Sequence, residues 1–296
     1  MHYNQPATAI IRQRYSCRTY QRKPIAAATR QRLADYAAAL TSGPFGTRVR
    51  FRLLAAGEND GSSLQGLGTY GIIRDPAGFV VGATGDGNRD MEDLGYLLED
   101  LVLYATSLGL GTCWLGGTFN RSAFAARMAL RPGERMPAVI SVGYPAARPS
   151  LVEAVMRRGA GSAKRLSWER LFSDGRCGVA LARAAAGEYE QPLEMLRLAP
   201  SASNKQPWRI VRESTTLAAS GAARWHVYLQ RTARYGRVRV GKLSIADLQR
   251  VDAGIAMCHF ELTAQEAGLK GKWVLEDPGL DRPNALTEYI ATWVGM

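Results

Sequence analysis

The sequence predicts an α+β protein made of two pseudo-symmetric halves, each a β-sheet flanked by helices. Three observations predict it. The chain has 296 residues, about the length of two ordinary domains. Two long helical patterns repeat each other in one register: Gly95 with Gly254, Ala105 with Ala264, Gly109 with Gly268 and Trp114 with Trp273, each 159 apart (254 − 95). Matching strand patterns flank them, with Val142-Gly143 answering Val294-Gly295 and Arg48–Leu54 answering Trp208–Arg212.

Periodicity places helices over about 26–41, 90–108, 120–129, 167–172, 176–186, 192–198 and 244–267. Glycines at 109 and 268 mark the ends of the two long ones. Strands are expected over about 49–55, 78–83, 137–143, 208–213, 225–230 and 288–294. A turn at Ser173-Asp174-Gly175-Arg176 sets the boundary, giving a first half over 1–172 and a second, shorter half over 173–296.

Composition narrows the function classes. Hydrophobic residues at 46% and charged residues at 22% are an ordinary globular mixture. Apolar runs span only a few residues, as in 78–83, where a bilayer span needs about 20. With no apolar run near the N-terminus, the cytoplasm is expected. A net charge of +12 suits anionic small molecules or polyanions. Cys17, Cys113, Cys177 and Cys258 form no CxxC and read as reduced, mostly buried thiols. The three histidines, His2, His226 and His259, have no metal-ligand spacing, and no metal is expected. No GxSxG elbow accompanies them, which argues against Ser-His-Asp hydrolysis.

Three segments carry chemistry. Arg14-Tyr15-Ser16-Cys17-Arg18, if extended, puts Arg14, Ser16 and Arg18 on one face, two cations around a hydroxyl. Residues 199–208 read APSASNKQPW, a run of short amides and hydroxyls leading into a strand. Turn chemistry explains Pro200, Ser201 and Asn204 but not Gln206-Pro207-Trp208. Such a loop can hydrogen-bond a planar heteroaromatic ring. The third segment runs from Gly109 to Gly117, where Gly116-Gly117 lets backbone amides approach a ligand.

In this order the segments resemble the FMN-dependent nitroreductase family. Its members share an Arg-x-Ser-x-Arg-like strand, an APSxxNxQPW-like loop, a helix ending in GLG, and a strand running into Gly-Tyr-Pro, here Gly143-Tyr144-Pro145. The resemblance covers most of 10–172 and, more weakly, 190–296. It implies FMN as cofactor, NAD(P)H as donor and a small acceptor such as a nitroaromatic or quinone. It implies that Arg18 faces the flavin ring, that Arg14, Ser16 and Arg165 beside Lys164 bind the phosphate, and that backbone near Gly116 and Gly117 faces N5. Pro200, Ser201, Asn204 and Gln206 complete the implied cofactor site. Many relatives have Glu at the position of Gly116, and this chain departs from them there.

The family is homodimeric, each site taking its strand from one subunit and its loop from the other. Here the first half has the Arg-Ser-Arg strand but only Ser42-Gly43-Pro44-Phe45-Gly46-Thr47 at the loop position. The second half has the full loop and no such strand. The resemblance therefore implies a monomer that mimics a dimer, with one FMN site kept. Three other readings compete: a non-catalytic flavin binder, a Rossmann dehydrogenase using the Gly-rich turn after 79–83, and a nucleic-acid contact through the basic run Arg231–Lys242. No nucleic-acid fold surrounds that run, so neither nucleic acid nor membrane is expected as a partner.

Overall fold

The computed structural model describes residues 3–57, 64–148, 153, 164–213, 222–235, 237–240 and 243–296. The first half holds helices α1 (Ala7–Gln13), α2 (Ala27–Ala39), α3 (Asp90–Ser107) and α4 (Arg121–Met128). Its strands β1 (Val49–Ala55), β2 (Gly78–Thr84), β3 (Gly111–Leu115) and β4 (Val139–Gly143) form one sheet in the order β1-β2-β4-β3. The second half holds α5 (Glu190–Arg197) and α6 (Leu248–Glu266). Its strands are β5 (Phe172–Asp174), β6 (Trp208–Arg212), β7 (Arg224–Gln230), the hairpin β8 (Arg237–Val240) and β9 (Leu243–Asp247), β10 (Gly271–Val274) and β11 (Thr287–Gly295). The main sheet runs β10-β11-β7-β6-β5. Without β5 this is the first sheet again, β6-β7-β11-β10 matching β1-β2-β4-β3. Gly109 and Gly268 hold equivalent helix ends at φ 77° and 79°, a conformation glycine adopts without strain.

All pairings in the first sheet are antiparallel. That excludes the Rossmann reading of the turn after β2, because a dinucleotide fold needs parallel neighbours there. Among the described residues no helix is long and apolar enough to cross a membrane, and no cluster of His, Cys, Asp or Glu could hold a metal. All four cysteines are free, and three of them are buried.

Several sequence expectations are corrected. The helix expected from 244 begins at Leu248, because the Asp247 side chain accepts from the Arg250 amide and caps it there. Residues 243–247 instead form β9. The helix expected over 176–186 is a turn followed by a 3-10 segment, Arg183–Tyr189. The basic run 231–242 folds into the β8–β9 hairpin, with Gly236, Gly241 and Lys242 outside the described residues, as is His2. Arg231 is 9% exposed, and its guanidinium holds Asp247 in a bidentate pair at 2.8 and 3.1 Å and also binds Glu288. It staples the base of the hairpin to β11. Trp168, Leu171 and Phe172, on the first-half side of the expected boundary, pack in the second core, and β5 joins the second sheet parallel to β6.

The two halves meet along α3 and α6. A Cβ on Gly95 would sit inside the van der Waals envelope of the Val251 carbonyl, and one on Gly254 inside that of Glu92. Each helix thus presents its glycine to the backbone of the other, at equivalent positions. On either side, Leu94, Leu97 and Leu98 of α3 are buried in first-half clusters and Val251, Ala253 and Ile255 of α6 in the second-half core. Helix α1 lies across the seam, its Ile10 and Ile11 packing with Leu103, Met195 and Cys258.

Because no side-chain motion relieves a backbone clash, Gly95→Ala and Gly254→Ala should each cost about 2–3 kcal/mol or more. Gly117→Ala, with nothing within 4 Å of its Cβ position, should cost under about 0.5 kcal/mol. Urea unfolding of the three variants checks this, and equal losses at all three would refute it.

Candidate functional site

A cleft of about 230 Å³ opens between the halves. The first half contributes Ser16, Arg18, Trp114, Gly116 and Gly117. The second contributes Pro200 to Ser203, Tyr235, Leu248 and Asp252. Ser16 pairs with Thr112 as an isolated parallel bridge, and the Cys17 amide donates to the Thr112 carbonyl at 2.8 Å. The 14–18 segment is therefore extended along β3, so Ser16 and Arg18 reach the same side. The Arg18 Nε is buried with no hydrogen-bond partner among the described residues, as is the Arg14 Nε.

A Cβ on Gly116 would lie 2.8 Å from the Leu248 methyls, so the first residue of α6 would have to turn aside for a side chain there. Arg121 fixes this stretch by donating to the carbonyls of Gly116, Met136 and Pro137.

The loop from 200 to 207 is strained and over-determined. Ser203, Asn204 and Gln206 have φ of 47°, 53° and 49°, a region that costs non-glycine residues about 1 kcal/mol each. Side chains hold it there. The Gln206 amide donates to Ser201 Oγ at 2.8 Å, and Gln206 Oε1 accepts from the Leu166 amide at 2.8 Å. The Asn204 Nδ2 donates to the Lys164 carbonyl at 2.9 Å, and its Oδ1 accepts from Arg165 at 3.2 Å. Asn204, Gln206, Lys164 and Arg165 are thus brought together as a clasp behind the loop. They do not line the cleft.

Arg14 also lies off the cleft lining, turned inward with its side chain 7% exposed and its Nε 3.7 Å from Glu99. It nevertheless acts on Arg165, whose guanidinium is pushed down to about 10, first by burial and then by Arg14 and Arg197. Arg197 is neutralised by Glu194 at 2.6 Å. Arg14 and the half-buried Arg165 therefore lie near enough to repel each other, a repulsion an anion would relieve.

Sequence reasoning missed Asp252 and Tyr235. Asp252 is 3% exposed. Its Oδ1 accepts from the Ala202 amide at 2.9 Å, while its Oδ2 is buried with no hydrogen-bond partner among the described residues. Burial holds the carboxyl well above the usual carboxylate range, against the pull of the Ala202 amide. The 159-residue repeat contained the signal, since it maps Asp252 onto Asp93 (252 − 93). Asp93 spends both oxygens on the other loop, accepting from the amides of Phe45 at 2.9 Å and Thr47 at 2.8 Å. Tyr235 projects from the hairpin, its hydroxyl 2.8 Å from Ser203 Oγ.

Two sheets that share a four-stranded antiparallel order, with a cleft at their junction, define a duplicated α+β fold. A structure of this build is known from Thermotoga maritima, a protein described in the same terms as the family model below. It aligns with 100% of this chain and 95% of its own, at 18% identity and a TM-score of 0.60. The family model described as "Putative TM nitroreductase" matches residues 7–264, and the chain belongs to that nitroreductase family. Shorter relatives align with about half of it. A Bacteroides fragilis nitroreductase with bound FMN covers 50% of this chain and 92% of its own, at 18% identity and a TM-score of 0.39. A Clostridium difficile nitroreductase family protein covers 51% and 91%, at 17% identity and a TM-score of 0.38. No functionally curated protein matches the chain.

The raised Asp252 carboxyl has a consequence for stability. A group whose folded value lies above its unfolded one contributes stability that is present below the ordinary carboxylate range and lost as pH rises through the folded value. Asp252→Asn keeps an acceptor for the Ala202 amide and does not titrate. Its stability relative to the native protein should therefore rise between pH 5 and pH 8 in urea unfolding. A pH-independent difference would show that Asp252 is not held protonated.

Proposed function

We propose that the protein is an FMN-dependent oxidoreductase of nitroreductase type. It takes electrons from NAD(P)H and passes them to a small acceptor such as a nitroaromatic or quinone. The observation that carries the reading is the cleft between the halves, which sets Ser16 and Arg18 and the bare Gly116-Gly117 backbone against Pro200 and Ser201, the segments whose sequence resembles a flavin site.

Bound flavin supplies a ring that accepts a hydride from a nicotinamide and hands electrons on to an acceptor. The chain's own residues bind and orient. Arg14 and Arg165 would hold the phosphate, and Asn204 would act on it through Arg165. Arg18 would stabilise negative charge on the ring, and Ser16 and Ser201 offer hydroxyls. The Gly116-Gly117 backbone gives a wall with no side chain in the way. Leu248, Val251 and Ile255 exclude water from one side. Asp252 lines the cleft with its carboxyl raised by burial, and its neutral form would donate one hydrogen bond there.

We also propose that the two halves, 1–172 and 173–296, stand in for the two subunits of a homodimer, and that the chain acts as a monomer. The equivalent cleft on the other side is lined by Phe45, Gly46, Thr47, Asn88, Arg89 and Leu275. It has Phe45 where the repeat places Asn204 (204 − 159 = 45).

The purified protein should be yellow, and its acid-released chromophore should be FMN. Turnover should be ping-pong, with parallel double-reciprocal lines. Arg18→Ala should weaken FMN binding by about one to two decades, the worth of a charged hydrogen bond. Binding of FAD instead of FMN would sink the assignment. Bound FMN that neither NADH nor NADPH bleaches would identify a flavin-binding protein without this activity.

A further inference from the structure

Behind Arg14 and Arg165 lies a buried pair, Glu99 on α3 and His259 on α6. Both side chains are fully buried. His259 Nε2 is 3.0 Å from Glu99 Oε1, and His259 Nδ1 is 3.0 Å from the Met195 carbonyl oxygen. The Trp114 indole, whose ring lines the cleft, donates to Glu99 Oε2 at 2.7 Å. The Arg14 Nε faces Glu99 Oε1 at 3.7 Å.

The hydrogen-bond inventory fixes the proton count. A carbonyl oxygen only accepts, so Nδ1 carries a hydrogen. The contact between Nε2 and Oε1 then needs a second hydrogen, either on the imidazole or on the carboxyl. The pair therefore holds one proton more than a neutral histidine beside a carboxylate, and that proton belongs to the pair rather than to either residue.

The proton sets the charge of the site. With it, Arg14, Arg165 and the Glu99–His259 pair carry two net positive charges, matching a phosphate monoester dianion. Without it, Glu99 would cancel Arg14 and leave one. The surrounding groups are the same with and without this proton, so the difference of one charge stands. Arg197 is paired with Glu194, and burial pushes the Cys258 thiol up and keeps it neutral. Asp100 accepts from the Tyr3 and Tyr36 hydroxyls, and burial raises the Glu261 carboxyl. On the β3 side, Arg18 and Glu153 have opposite charge and both act on Cys113.

We infer that Glu99 and His259 are positioning residues for the phosphate of the bound flavin, their shared proton freeing Arg14 from its own counter-ion. This rests on the proposed FMN function. It assigns the two residues a role in telling a phosphorylated flavin from an unphosphorylated one, although neither lines the cleft.

The test is a comparison of FMN and riboflavin affinity, by flavin fluorescence titration of the full-length apoprotein. His259→Gln keeps an amide donor toward Glu99 and removes the imidazole that can carry the charge. It should weaken FMN about tenfold or more while changing riboflavin less than about twofold. Glu99→Gln removes the carboxylate, so its ratio of FMN to riboflavin affinity should equal or exceed that of the native protein. The double variant should recover the native ratio. Losses that add in the double variant, or that fall equally on both flavins, would overturn the inference and leave a packing role. If His259→Gln does not fold, Glu99→Gln decides alone, since a tenfold fall in its ratio contradicts the proposal. Failure of the native protein to bind FMN at all would instead overturn the proposed function.

Discussion

The close approach of α3 and α6 at Gly95 and Gly254 is the constraint on which the rest of the molecule depends. Two helices can touch backbone to backbone only where both lack a side chain, and the repeat puts those two glycines at equivalent points. The crossing fixes how the sheets face each other. It brings Glu99 within 3.0 Å of His259 across the seam. It also sets the first turns of the two helices, with Asp93 and Asp252, beneath the two loops. The cleft is a product of this contact: Trp114 and Gly116 follow one long helix, and Leu248 and Asp252 begin the other.

The symmetry is broken where ligand chemistry would be. Asp93 closes its loop with both oxygens, whereas Asp252 uses one and leaves the other buried with no hydrogen-bond partner among the described residues. Between the second strand and the long helix, the first half has only residues 85–89, while the second half inserts the β8–β9 hairpin and Tyr235. Phe45 occupies the position that Asn204 has in the other loop. One junction carries the strained loop and the β8–β9 hairpin, and the other is an open cleft with Phe45, Arg48 and Arg89 in its lining.

Much of this was legible in the sequence because duplication writes the same constraint twice. Gly95 and Gly254, and Gly109 and Gly268, repeat because each pair serves the same contact in its half. The extended Arg14–Arg18 segment and the 200–207 loop were legible from local chemistry, and the structure brings Ser16, Arg18, Gly116, Gly117, Pro200 and Ser201 to one cleft. What was not legible depends on tertiary contacts. Strand β3 is five residues of Gly, Thr, Cys, Trp and Leu, a pattern too short to separate from the helix end before it. The basic run read as a candidate polyanion contact because its first arginine meets Asp247 and Glu288 only after folding. Asn204 and Gln206 read as ligand-facing amides, yet their strained backbone turns them toward Lys164 and Leu166. His259 read as an isolated histidine because Glu99 is 160 residues away.

The central claim is that one chain supplies both sides of a single flavin site. The most direct measurement is the flavin stoichiometry of the intact protein, by absorbance against protein mass together with native mass spectrometry. One chain should carry one FMN. Two FMN per chain, or FMN found only on a dimer of chains, would contradict it.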